Sequence, residues 1–257
     1  MPDITIRRPK MPSKDATKNK IVKRNNETER SRSLDDVLRK YKPAAKVSRL
    51  IGLSDATGSM ASVWSGTRRL LTEMFKRIAE LGEFEMKWVA YRDYCDGNGL
   101  IEQSRWEYKI DPLLAFVRSI ECYGGGDWEE AVEKGLELAA NDNNATRVLL
   151  IGDAPPHPNS DYSHQAKRLG QANRPVYSFV VGKNTETFRV FSEISQLSGG
   201  ACCYLENVDD LLDVVVIAAA HDLGGESLVL EYTKKYEKRL SASGKAFSEK
   251  LFLPEKS

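Results

Sequence analysis

The chain has 257 residues, of which 41% are hydrophobic and 29% charged, and its formal net charge is +1. That length and apolar content can bury one large core, or a core with appendages, and the near-neutral balance argues against a dedicated nucleic-acid binder. No apolar run reaches the roughly 18 residues of a membrane-spanning helix, and Met1–Lys10 lacks the apolar stretch of a signal peptide, so the expected location is the cytoplasm.

The charge is unevenly spread. Residues 1–49 hold 15 Lys and Arg against 6 Asp and Glu, which leaves the remainder acidic by 8 charges. Residues 1–45 are expected to form a basic, disordered arm, with one short helix over Ser33–Tyr41. A solubilising tail, a basic docking arm and a segment that folds back on the acidic body are all open readings of it.

From Ala45 the pattern alternates. A strand over residues 47–54 feeds a helix with apolar positions at Met60, Val63, Trp64, Leu70, Leu71, Met74, Phe75 and Ile78, stopped at Leu81-Gly82. Phe84 to Tyr91 reads as a strand and Asp93 to Gly99 as a turn-rich loop. Leu100 to Ile110 reads as an edge strand. Asp111-Pro112 opens a helix through Ile120, and Trp128 to Ala140 forms another. Arg147 to Ile151 is near-continuously apolar, as a strand buried on both faces should be. A helix over 163–172, a strand over 175–181, a helix over 187–197 halted by Gly199-Gly200, a strand over 201–205 and an apolar helix over 208–221 complete the series. In the tail, Leu228–Tyr232 reads as one more strand, and Leu251–Pro254 is apolar enough to pack on the body or on a partner. Strands alternating with helices through short links predict an α/β fold, a mostly parallel sheet between two helical layers. The cysteines Cys95, Cys122, Cys202 and Cys203 have no metal-binding spacing and are expected to be reduced and structural. Cys202 and Cys203 should point to opposite faces of their strand.

Chemistry concentrates in three segments. Asp55-Ala56-Thr57-Gly58-Ser59-Met60 follows the first strand and places an acid and two hydroxyls at i, i+2 and i+4. Hard divalent cations favour such oxygen donors. Alternatively, Thr57 or Ser59 caps the following helix. Tyr123-Gly124-Gly125-Gly126-Asp127-Trp128-Glu129-Glu130 is a glycine-rich loop ending in acids. Val148-Leu149-Leu150-Ile151-Gly152-Asp153 is a buried strand ending in an acid. Right-handed crossovers bring all three loops to the carboxyl edge of the sheet, where open α/β folds bind ligands.

Over roughly residues 46–222 this combination resembles the von Willebrand factor A (vWA) family, in an intracellular or bacterial-type member with a metal-ion-dependent adhesion site. The resemblance implies a Rossmann-like open, mostly parallel sheet with helices on both faces and one antiparallel edge strand. It implies a vWA domain over 46–223 and a C-terminal extension over 224–257. It also implies a Mg²⁺ or Mn²⁺ held by Asp55, Thr57, Ser59, Asp127 and Asp153. The family's commonest second loop has Thr where Asp127 stands; Glu130 is the alternative ligand there. The extra carboxylate should raise cation affinity and leave the metal less electrophilic. Tyr91-Arg92-Asp93 is similar to a Tyr-Arg-Asp carried by some bacterial and kinase-linked members, and reads equally as a strand end with a surface ion pair.

The function so implied is metal-dependent protein binding without turnover, as an adaptor or scaffold. A partner's Asp or Glu would complete the metal, beside a kinase, phosphatase or ATPase system and away from membranes and nucleic acid. The alternative is a Mg²⁺-dependent hydrolase or phosphoryl-transfer enzyme with His157 or Asp127 as base, although Pro155-Pro156-His157-Pro158 also reads as a rigid loop. Neither a P-loop lysine nor the second aspartate of a haloacid-dehalogenase-type phosphatase is present.

Overall fold

A computed structural model describes residues 46–126 and 128–252. The arm over 1–45, Asp127 and the end from Leu253 lie outside the described residues. Six strands form one sheet: β1 Ser48–Asp55, β2 Phe84–Tyr91, β3 Ile101–Gln103, β4 Arg147–Gly152, β5 Val176–Val181 and β6 Cys202–Leu205, in the order β3-β2-β1-β4-β5-β6. Every pairing is parallel except β2 with β3. The helices are α1 Ala61–Leu81, α2 Ile110–Ser119, α3 Val132–Asn141, α4 Tyr162–Gln171, α5 Thr185–Ser198, α6 Leu211–Lys235 and α7 Ala242–Phe252.

Alternate residues of each inner strand feed two separate cores. Leu50, Trp88, Leu149 and Phe179 pack with α1, α2, α6 and α7, whereas Ile51, Val89, Leu150 and Val180 pack with α3, α4 and α5. Cys202 and Cys203 divide between the cores as expected. Burial raises their thiols to about 11 and about 12, which makes both inert.

Three expectations need correction. Leu228–Tyr232 is helical, not a strand: α6 turns at Gly225, whose φ is +64°, and continues with Val229 and Tyr232 buried. Those two lie one helical turn apart and share a face. The edge strand is only three residues long, with an isolated bridge between Met86 and Glu107 beyond it. The helix after the glycine loop starts at Val132 rather than Trp128. Upstream of it the Glu130 and Ala131 amides are spent on Pro155 and Arg92 carbonyls in other loops.

The carboxyl side of the described tail folds back on the body. Phe247 of α7 is fully buried, its ring edge-on to Tyr177 and Phe179 at 5.2 and 5.1 Å. Leu251 and Phe252 pack against the same core.

Candidate metal centre

Strand order reverses between β1 and β4, so the loops leaving these neighbours diverge to opposite faces and open a crevice. Asp55 ends β1 there and Asp153 follows β4. Asp55 is fully buried, and its Oδ1 accepts hydrogen bonds from the Thr57 amide and the Thr57 hydroxyl, each at 2.7 Å. The Thr57 and Ser59 hydroxyls lie 3.3 Å apart. The Trp64 indole donates to the Asp55 carbonyl at 2.6 Å and clamps the strand end. Neither hydroxyl caps a helix: the short 3-10 turn Gly58–Met60 has Thr57 at its cap position without a side-chain bond, and α1 is preceded by Met60. The capping alternative is therefore not what these hydroxyls do.

The second loop passes directly over the first. Gly124 and Gly125 have φ of +78° and +81°. A Cβ on Gly125 would stand 3.2 Å from Glu130 Oε1 and 3.4 Å from the Thr57 Cβ, and one on Gly124 would strike the Asp96 carboxylate. Only glycine meets both demands. The Tyr123 amide donates to the Ala56 carbonyl and the Glu130 amide to the Pro155 carbonyl, which ties the second loop to the first and the third. Thr187 Oγ1 donates to the Asp153 carbonyl at 3.0 Å and steadies the third loop from α5.

Together Thr57, Ser59, Gly125, Trp128, Glu130 and Asp153 line a pocket of about 180 Å³. Three buried carboxylate oxygens in and beside it, Glu130 Oε2, Asp153 Oδ1 and Asp55 Oδ2, have no hydrogen-bond partner among the described residues. Burial above all, with the neighbouring carboxylates adding to it, pushes Asp55 up to about 7 and Glu130 up to about 9. Such crowding of orphaned oxygens fits a hard cation. Among the described residues no three Asp, Glu, His or Cys side chains form a group able to hold a metal ion by themselves. The Thr57 and Ser59 hydroxyls, with water, would complete any coordination sphere. Of the five expected ligands the structure brings Asp55, Thr57, Ser59 and Asp153 to one place; Asp127 lies outside the described residues, and Glu130 is the second-loop acid that reaches the pocket.

Tyr91-Arg92-Asp93 is not a surface ion pair. Arg92 is fully buried and donates to the Gly99 and Glu121 carbonyls, each at 2.6 Å. It also pairs with Glu102 at 2.8 Å, and its guanidinium lies 4.3 Å from the Tyr123 ring centroid. One side chain thus pins the glycine loop to β2 and β3. Asp93 is bonded to His157 Nε2 at 2.6 Å; burial is the largest single influence on its carboxyl and raises it, but the hydrogen bonds from His157, Cys95 and the Tyr94 amide together hold it below its usual value. The positioning role of Arg92 was missed from sequence, although the Tyr-Arg-Asp run after the second strand was its signal.

Fold comparison identifies the class. The chain superposes on BatB from Bacteroides thetaiotaomicron with a TM-score of 0.53 and 13% identity, over 68% of this chain and 98% of that one. It superposes on the SpRpn10 VWA domain at 0.50 and 11%, over 65% and 94%. A von Willebrand factor type A protein from Catenulispora acidiphila matches at 0.50 and 16%, over 70% and 43%. With its sheet order and single antiparallel edge, the chain has the vWA fold. No protein-family model matches it. A putative ariadne-like RING finger protein of Acanthamoeba polyphaga mimivirus is 29% identical over 186 residues, which is 61% of this chain and 18% of the viral protein.

Proposed function

We propose that this chain is a metal-dependent protein-binding module, an adaptor rather than an enzyme, which engages an Asp or Glu of a partner. The observation that carries the reading is the convergence at the β1/β4 crevice of three buried carboxylate oxygens without a partner among the described residues and two hydroxyls, Thr57 and Ser59, beside them. Asp55, Thr57, Ser59 and Asp153 would hold a Mg²⁺ or Mn²⁺ together with a second-loop acid, Asp127 or Glu130, of which Glu130 is the one that lines the pocket among the described residues. The bound cation supplies a coordination position that a partner's carboxylate can take. The protein's own part is to fix the donors. The Trp64 bond holds the Asp55 backbone, Thr57 orients its carboxylate, and Arg92 holds the second loop. The vWA fold, and the viral relative in which the matching segment is a small part of a much longer protein, support a module serving a larger assembly. A cytoplasmic setting beside a kinase, phosphatase or ATPase system belongs to the same proposal.

The alternative, a hydrolase with His157 as base, has one observation in its favour, the 2.6 Å contact with Asp93. His157 does not line the pocket, however, and its Nε2 is engaged.

Calorimetric titration with Mn²⁺ and with Mg²⁺ tests the proposal. Saturable binding that Asp55→Ala abolishes, together with partner capture reversed by EDTA, is the expected result. Absence of saturable binding at millimolar metal refutes it. Hydrolysis of phosphate or ester substrates lost in Asp55→Ala would favour the enzyme.

A further inference from the structure

Five large hydrophobic side chains are exposed among the described residues; Tyr123 and Trp128 belong to the glycine loop that lines the pocket, and Tyr94 to the neighbouring loop after β2. Trp128 is 51% exposed and lines it. Tyr123 is held on one side by the Arg92 guanidinium, leaving the ring 44% exposed. Tyr94 is 48% exposed, anchored through its hydroxyl to Glu133 and leaning on His157 with ring centroids 5.3 Å apart. Two of these rings are thus fixed in place without a partner, so little side-chain freedom remains to be lost when something lies on them.

The segments that carry them are acidic. Residues 119–133 contain five Asp and Glu and no Lys or Arg, and residues 93–104 contain three Asp and Glu and none either. Cationic groups next to these segments are engaged within the chain: Arg92 on Glu102 and two carbonyls, His157 on Asp93, Arg68 on the Val117 and Ile120 carbonyls, and Lys134 on Glu137. Aromatic faces set among carboxylates attract Lys and Arg by ring quadrupole and by Coulomb attraction together. A partner segment bearing several acids would be repelled before its carboxylate reached the centre.

Resting on the metal-dependent reading above, we propose that the rim selects a partner segment whose metal-reaching carboxylate is flanked by Arg or Lys side chains that lie on Trp128, Tyr123 and Tyr94. The carboxylate supplies the metal dependence. The flanking cations supply the choice of partner.

The test measures fluorescence anisotropy of labelled synthetic nonapeptides on the full chain, in Mg²⁺ and in EDTA. Each peptide has one central Asp, flanked by arginines, by glycines or by glutamates. In Mg²⁺ the arginine-flanked peptide should bind about tenfold more tightly than the glycine-flanked one, given two cation–ring contacts, and the glutamate-flanked one most weakly. Trp128→Ala should reduce the arginine preference about two- to fivefold, and Trp128→Phe should restore most of it. Equal, Mg²⁺-dependent binding of arginine- and glycine-flanked peptides overturns the rim proposal and leaves the metal reading standing. Arginine-flanked binding that persists in EDTA is simple charge attraction and overturns the proposal. No binding of any peptide at millimolar concentration overturns both readings.

Discussion

Replacing Arg92 with Met would test whether one buried cation holds the second loop over the first. Met fills much of the same volume but leaves the Gly99 and Glu121 carbonyls without their donors and removes the stack on Tyr123. A hydrogen bond to a charged group contributes about 1.5–3 kcal/mol. The Glu102 partner is 39% exposed, so water takes it back and its pairing adds little. The two carbonyl bonds alone put the expected loss at about 3–6 kcal/mol. Urea unfolding followed by circular dichroism measures it, with an unchanged slope showing that the fold is otherwise intact. Lysine should not rescue, because a single ammonium cannot serve two carbonyls and a ring in the plane that the guanidinium does. Freeing the loop also frees Glu130, so Mn²⁺ affinity should fall about 10- to 100-fold, as for other residues that orient ligands. A variant that loses under 1 kcal/mol and binds Mn²⁺ like the parent would refute the reasoning.

Three further outcomes follow from particular contacts. Gly125→Ala forces a side chain into positive φ and against Glu130 and Thr57, and should cost about 1–2 kcal/mol and weaken Mn²⁺ binding, read by melting and calorimetry. Phe247→Ala removes a fully buried ring from between Tyr177 and Phe179 and should cost about 3–5 kcal/mol in urea while leaving Mn²⁺ affinity unchanged. Burial, with Arg147 nearby, holds His221 below its ordinary value, so the unfolded chain takes up a proton first as the pH falls. The His221 contribution should therefore be constant above about pH 7 and decline as the pH drops through about 6.5 toward the lower folded value, read as the difference in urea midpoints between the parent and His221→Gln.

The sheet was legible because its signal is local. A run such as Val148–Ile151 has no polar face, and only a strand covered on both sides needs that composition. The Phe84–Tyr91 strand was read to the residue from its alternation, Phe84, Met86 and Trp88 buried against half-exposed Glu85 and Lys87, before a fully buried end. Where an apolar run was short, reading failed: Leu228–Tyr232 fits either period over five residues, and only its docking on the core decides for helix. The start of α3 was misjudged because the amides before it find carbonyls on distant loops, which no local preference encodes.

At the candidate site the division is similar. By itself the sequence determined which oxygen donors follow β1 and β4, since residue type and position at a strand end are local facts. Only the tertiary structure decided that Glu130 turns into the pocket, that Thr57 and Ser59 are not spent on a cap, and that Arg92 reaches inward to hold the glycine loop. Each of these depends on what a side chain meets across a gap between segments far apart in the chain. Those meetings are fixed by the packing of two cores on one twisted sheet.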